Sequence, residues 1–320
     1  MSIIERVAEL LGPVARPDPK SSSPDNEGGI LEGDLVERVI SENDQRSKFP
    51  EASKLAAQPV AKDPGVEARV EARPARPTSR TTRTLRVDLD RLREHRIITP
   101  DGERNPIAES FRRIKRTILA NVADPKAGAL AKLVLVTSPL PGEGKTFCAI
   151  NLALSIALEM DYTVLLVDAD VAKPSIAGAL GVEVGRGWMD VLGDRGTTLQ
   201  DVLCETDIEG LMFLPAGTPN QHATEVIASS AMRMLLQEIS GRDSRRVVVL
   251  DSPPLLAASE AAALANQMGQ VVMVVEAGKT TEASLKAALG HIESSKVVGL
   301  VLNKAEQHSP LYGYGSYGYG

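Results

Sequence analysis

The segment KLVLVTSPLPGEGKT, residues 132–146, decides the fold. Its opening six residues are an apolar run that suits a strand buried on both faces. The stretch SPLPGEGKT is turn-rich, and the helical pattern TFCAINLALSIALEM follows it. A glycine-containing loop between a strand and a helix is built to cradle phosphate. Gly142 and Gly144 let backbone N–H groups turn inward on an anion, and Lys145 brings charge to the outer phosphates. Thr146 brings a hydroxyl for Mg²⁺, and the helix N-terminus adds its dipole. The loop departs from GxxxxGK[ST] at one position, where Pro139 replaces the leading glycine. GKT alone is weak evidence; its place between strand and helix gives it weight.

Working outward, apolar runs alternate with helical patterns. The predicted strands are KLVLVT (132–137), TVLLVD (163–168), GLMFLPAG (210–217), RVVVLD (246–251), QVVMVVEAG (270–278) and VVGLVLN (297–303). The predicted helices include DLDRLREH, NPIAESFRRIKRTILANV starting at Asn105-Pro106, EVIASSAMRMLLQEI, SEAAALANQM and TEASLKAALGHI. This alternation predicts an α/β fold, a mostly parallel sheet flanked by helices.

Ligands of such folds gather at the C-terminal ends of the strands. The second predicted strand ends in VDADVAKPS, where Asp168 and Asp170 share a face if the strand geometry continues. Two carboxylates there can hold Mg²⁺ and orient an incoming hydroxyl. A pair of turn-forming aspartates is the plainer reading, and the phosphate loop favours the first. The run VVVLDSPP closes on Asp251, a carboxylate suited to organising a metal in a P-loop enzyme, with Pro253 and Pro254 pinning the turn.

Composition bounds the rest. The chain is 43% hydrophobic, enough for a substantial core, and its net charge of −6 argues against a dedicated nucleic-acid binder. Cys148 and Cys204 have no metal-ligand spacing, so a reducing, cytoplasmic compartment is expected. No apolar run is long enough to span a membrane, and no signal peptide opens the chain, so any membrane contact is peripheral or through a partner.

The predicted domains are a short amphipathic helix over 1–12, a disordered linker over 13–86, a nucleotide-binding domain over 87–306 and a flexible tail over 307–320. Residues Ile3, Ile4, Val7, Leu10 and Leu11 share one face of the first helix, which docks on a partner or membrane or packs on its own protein. The linker's basic run, Arg73 to Arg86, is read as solvated because no aromatics interleave it. Four of the five tyrosines, Tyr312, Tyr314, Tyr317 and Tyr319, lie in the tail sequence LYGYGSYGYG. Alternating glycine keeps them out of a core, which leaves either a low-complexity tail or hydroxyls offered to an enzyme.

These motifs together resemble the bacterial tyrosine autokinases of exopolysaccharide and capsule synthesis, in particular the stand-alone cytosolic type. That family is a branch of the deviant-Walker P-loop ATPases. The resemblance covers roughly residues 87–320. SPLPGEGKT resembles its Walker A, VLLVDAD its Walker A′ and VVVLDSPP its Walker B. The resemblance implies ATP and Mg²⁺ as cofactors and a nucleotide site of Gly142, Glu143, Gly144, Lys145, Thr146, Phe147 and Asn303, with Asn303 near the adenine. It implies Thr146, Asp168, Asp170 and Asp251 at the metal, and Lys145, Asp168 and Asp170 in catalysis. It also implies autophosphorylation of the four tail tyrosines.

The resemblance further implies a homo-oligomer, a ring among its forms, through Glu109, Arg112 and Lys115. A membrane chain-length or polysaccharide co-polymerase partner would hold the chain peripherally at the inner membrane. Two departures stand out. Ala172, followed by Lys173, occupies the place of a family arginine, and Lys115 replaces an arginine whose planar fork it cannot reproduce. Two other readings stay open: a partitioning or division-site ATPase, against which Leu140 stands at the signature-lysine position, and a catalytically weak nucleotide-gated regulator.

Overall fold

In this computed structural model the described residues are 84–103, 105–193, 196–293 and 296–305. The chain divides into two units, Met1–Arg76 and Pro77–Gly320, and every described residue belongs to the second. The helix expected over 1–12, most of the linker and the tail with its four tyrosines lie outside the described residues.

The described residues form an eight-stranded sheet. Its strands are β1 (Thr84–Leu85), β2 (Leu133–Thr137), β3 (Thr163–Asp168), β4 (Cys204–Thr206), β5 (Leu211–Leu214), β6 (Arg246–Asp251), β7 (Gln270–Glu276) and β8 (Val297–Asn303). Their spatial order is β1-β4-β5-β3-β6-β2-β7-β8. All neighbouring pairs are parallel except β4 with β5. The helices are α1 (Leu89–Glu94), α2 (Pro106–Ala123), α3 (Lys145–Ala157), α4 (Ile176–Leu180), α5 (Trp188–Gly193), α6 (Leu199–Val202), α7 (Ala223–Ala228), α8 (Ser230–Gly241), α9 (Ser259–Ala265) and α10 (Glu282–Leu289).

The centre of the sheet is β3, β6 and β2, whose Val/Leu runs are buried almost throughout. Helix α3 covers them, and every residue from Cys148 to Ala157 is buried. That is why its sequence is apolar all round rather than striped. Helix α2 is striped instead: Asn105 caps it by accepting from the Ala108 N–H at 2.8 Å, and Pro106 opens it.

Three expectations are corrected here. Thr84–Leu85, expected in the linker, form a parallel edge strand on β4. The predicted single helix around 225–239 is two, α7 and α8, broken at Ser229, whose extended backbone lets its side chain cap α8. The run 210–217 is a strand only through Leu214, since Pro215 cannot continue the ladder as a donor.

Candidate nucleotide site

The strand order brings three informative ends together. β6 lies between β2 and β3, with Val136 in register with Asp251 and Asp251 with Asp168. The phosphate loop and both strand-terminal carboxylates therefore share one edge of the sheet.

The loop is set by left-handed glycines, Gly142 at φ 83° and Gly144 at φ 95°. Gly144 is the N-cap of α3 and offers no side-chain cap, which leaves the first helical N–H groups for an anion. A Cβ on Gly144 would sit 2.0 Å from Asn303 Nδ2. Asn303 donates to the Glu143 carbonyl at 2.9 Å, so it abuts the loop. Glu143 is buried with its carboxylate turned into the protein. It accepts from the Leu140 N–H at 2.8 Å and from the Thr280 hydroxyl. Its side chain braces the loop, so only its backbone N–H remains for a nucleotide.

Thr146 Oγ1 donates to Asp251 Oδ2 at 2.6 Å and lies 3.2 Å from Ser175 Oγ. Asp168 Oδ2 accepts from the N–H groups of Ser175 and Ile176 at 2.9 and 3.0 Å. The Trp188 indole donates to the Asp168 carbonyl at 2.9 Å, fixing that residue from below. Asp170 Oδ2 is 3.2 Å from Lys145 Nζ, and its Oδ1 accepts from the Lys173 N–H at 3.1 Å. Burial pushes the Asp168 carboxyl up to about 6 and the Asp251 carboxyl up to about 7, above the ordinary 3.8.

Among the described residues no group of three or more His, Cys, Asp or Glu side chains is arranged to enclose a metal ion alone. Mg²⁺ at phosphates needs only one or two carboxylates. The donor set fits that role: Asp168 Oδ1 and Asp251 Oδ1 are both buried without a hydrogen-bond partner. Asp251, Thr146 and Asp168 are the residues that would hold the ion, while Asp170 is engaged by Lys145 and the Lys173 backbone. Lys173 itself is exposed, beside exposed Ala172.

A cavity of about 730 Å³ opens beside Asn303, with Phe111, Ile114, Phe147, Val301 and Leu302 among its walls. The rings of Phe111 and Phe147 meet edge to face at 6.1 Å. A larger cavity, about 1030 Å³, lies away from this chemistry between Arg93 of α1, residues 96–103, α2 and the end of α3.

That second cavity bears on the expected oligomer face. Glu109 and Arg112 are paired with each other at 3.2 Å on the surface of α2. Lys115 is only 6% exposed. Its ammonium donates to the Ser155 carbonyl at 2.9 Å and pairs with Glu159. Lys115 follows Phe111 by four residues and falls on the buried stripe Ala108, Phe111, Lys115, Ile118. It binds α2 to α3 within the chain and does not present a surface charge beside Glu109 and Arg112.

Sequence reasoning missed Thr280, Ser175, Trp188 and Lys304. Lys304 donates to the Gly142 carbonyl at 2.7 Å and carried a signal, since it directly follows Asn303 at the end of a strand. The other three become visible only through tertiary contact.

No protein-family model matches the chain. The chain is 34% identical over 204 residues to the tyrosine-protein kinase YwqD of Bacillus subtilis, covering 62% of this chain and 84% of YwqD. The chain belongs to the bacterial tyrosine-protein kinases. It is also 31% identical over 215 residues to EpsB of Ralstonia nicotianae, covering 66% of this chain and 27% of EpsB. It thus spans about a quarter of that longer relative. Among solved structures, the chimerical protein CapA2B2 is 27% identical with a TM-score of 0.58, over 70% of this chain and 94% of that one. The tyrosine-kinase family accounts for the three adjacent strand ends and for the mostly parallel P-loop fold.

Proposed function

We propose that this chain is an ATP- and Mg²⁺-dependent tyrosine autokinase that phosphorylates Tyr312, Tyr314, Tyr317 and Tyr319. The observation that carries it is the site itself. An uncapped, glycine-turned helix N-terminus lies beside two buried carboxylates that each keep one oxygen unpartnered. Bound Mg²⁺ would neutralise phosphate charge there.

The chain's own residues do the rest. Loop N–H groups cradle the phosphates. Lys145, now 3.2 Å from Asp170, turns its ammonium to the outer phosphates. The cavity by Phe147 and Asn303 accepts a flat base. The tyrosine oxygen bonds to the γ-phosphorus as the bond from that phosphorus to the β–γ bridging oxygen breaks. The turn of Lys145 frees Asp170 Oδ2, which is then the oxygen open to the tyrosine proton.

The last described strand ends at the site. β8 ends at Asn303, and the residues after it, 304–320, span at most about 60 Å at roughly 3.3–3.6 Å per residue. That length serves the chain's own site or a neighbour's, and transfer between subunits of a homo-oligomer is the reading we favour. By the family resemblance we take a membrane chain-length protein as the partner, which would hold this chain at the inner membrane's cytoplasmic face. No helix among the described residues is long and apolar enough to cross a membrane. The deciding assay incubates the pure protein with Mg-ATP and probes for phosphotyrosine. Phosphate mapped to the four tail tyrosines supports the reading, and its absence in folded, nucleotide-bound protein removes it.

A further inference from the structure

Lys304 and Arg96 are the two non-glycine residues with positive φ among the described residues. At φ 55° Lys304 occupies a conformation that a Cβ disfavours. Strain of this kind persists where surrounding contacts hold it. The contacts at Lys304 are specific: its ammonium donates to the Gly142 carbonyl at 2.7 Å and pairs with Glu276 at 3.2 Å. Its neighbour Asn303 donates to the next carbonyl of the loop, that of Glu143, at 2.9 Å.

Two consecutive carbonyls of the phosphate loop are therefore held by two consecutive residues at the end of β8. A trans peptide is planar, with its C=O and the following N–H pointing in opposite directions. Holding the Gly142 carbonyl toward Lys304 turns the Glu143 N–H away from it. Holding the Glu143 carbonyl toward Asn303 does the same for the Gly144 N–H. Those N–H groups form the anion nest. With φ of 83° and 95°, Gly142 and Gly144 are free to flip their peptide planes, so the nest needs an external brace.

Resting on the nucleotide-site reading above, we propose that Lys304 is a positioning residue of the phosphate loop. It acts with Asn303 to fix the two peptide planes whose N–H groups receive the β-phosphate. Glu276 holds the Lys304 ammonium over the carbonyl, and Lys279 shares that carboxylate at 3.3 Å. Lys304 lines the cavity beside Asn303, but its ammonium is held by the Gly142 carbonyl and Glu276, so it acts on the phosphates through the loop backbone.

The test measures MgADP and AMP affinity by calorimetry for the wild type, Lys304→Met and Lys304→Arg, on the full chain. The loss of one charge-assisted hydrogen bond predicts about tenfold weaker MgADP binding in Lys304→Met. AMP, which lacks the β-phosphate, should bind nearly as in the wild type, and Lys304→Arg should recover most of the loss. The nucleotide-free unfolding temperature should move by no more than about 2 °C. A merely structural lysine would lower the unfolding temperature and weaken AMP and MgADP alike, which overturns the proposal. Unchanged MgADP affinity in Lys304→Met also overturns it while leaving the nucleotide site intact. Wild-type protein that binds no MgADP sinks the nucleotide reading and this inference together. If Lys304→Met does not fold, Lys304→Gln, which keeps a donor without the charge, takes its place with the same expected ADP-selective loss.

Discussion

Asp168 and Asp251 stand opposite each other on adjacent parallel strands, and each keeps Oδ1 buried without a hydrogen-bond partner. Two anions in that position repel, and burial disfavours charging either one. Their pKa values of about 6 and about 7 lie above the ordinary 3.8. The folded, nucleotide-free protein thus retains protons that the unfolded chain gives up. This contribution to stability is complete below about pH 4 and is lost as pH rises to about 7. A series of thermal unfolding curves from pH 4 to 8 checks it. Asp251→Asn should flatten the profile and raise the nucleotide-free unfolding temperature at pH 8; an unchanged profile removes the pair as its source.

The same protonation opposes cation binding. Mg²⁺ must displace the Asp251 proton, so apparent Mg²⁺ affinity in the presence of nucleotide should weaken as pH falls through 7. Calorimetry in two buffers of different ionisation enthalpy should detect proton release near pH 6.5 and little at pH 8.5. Asp251→Asn should remove the part of the pH dependence near 7, leaving the part due to Asp168 near 6, together with most of the affinity.

Lys145→Met should eliminate phosphotransfer, and it also strands Asp170. Their pair is largely shielded, with side chains 16% and 8% exposed, so the single variant should lose roughly 1–3 kcal/mol of stability. Adding Asp170→Asn should recover stability by denaturant titration without recovering activity. Recovery of activity in the double variant contradicts the role of Lys145.

Gly144→Ala should damage the site and the fold together. The new Cβ meets Asn303 Nδ2 at 2.0 Å in a left-handed backbone, so a loss of about 2 kcal/mol is expected, with nucleotide affinity falling further. Gly144→Ala with Asn303→Gly should relieve the clash but leave the backbone strain, and stability should return only in part.

Transfer between chains is tested by mixing a Lys145→Met protein that keeps its tail with an active protein whose four tail tyrosines are Phe. Phosphotyrosine on the inactive chain establishes transfer in trans. Four phosphates would add roughly −6 to −8 charge, comparable to the chain's formal −6, so phosphorylated assemblies should shrink by light scattering. The shrinkage should fade at high salt, where exposed charges are screened over less than about 10 Å.

The buried strands were legible because a run such as RVVVLD carries its own signal: apolar throughout, then closed by a carboxylate. Three strands coincide with their sequence bounds: β3, β6 and β8. The two-residue β1 and three-residue β4 were not legible, since segments so short have no period and owe their structure to pairing. The loop and its carboxylates were legible as residue types in order. Their bracing was not, because Glu143 meets Thr280 across 137 residues and Gly142 meets Lys304 across 162. Lys115 was read only through the family's oligomerisation motif, while its spacing from Phe111 and Ile118 places it on the buried stripe.

The interleaving of strands has a consequence for how the domain is made. A ribosome releases β2 and β3 early, yet they are not neighbours in the sheet; β6, about eighty residues further along, must slot between them. Such long-range parallel pairing is slow and leaves open edges while it waits. The loop glycines emerge near the beginning of this process, and the residues that hold their carbonyls emerge at its end. A nascent chain arrested just after Asp251 contains the whole phosphate loop and all three aspartates, but neither Asn303 nor Lys304. Nucleotide capture should therefore be withheld until the domain's last strand has been laid down.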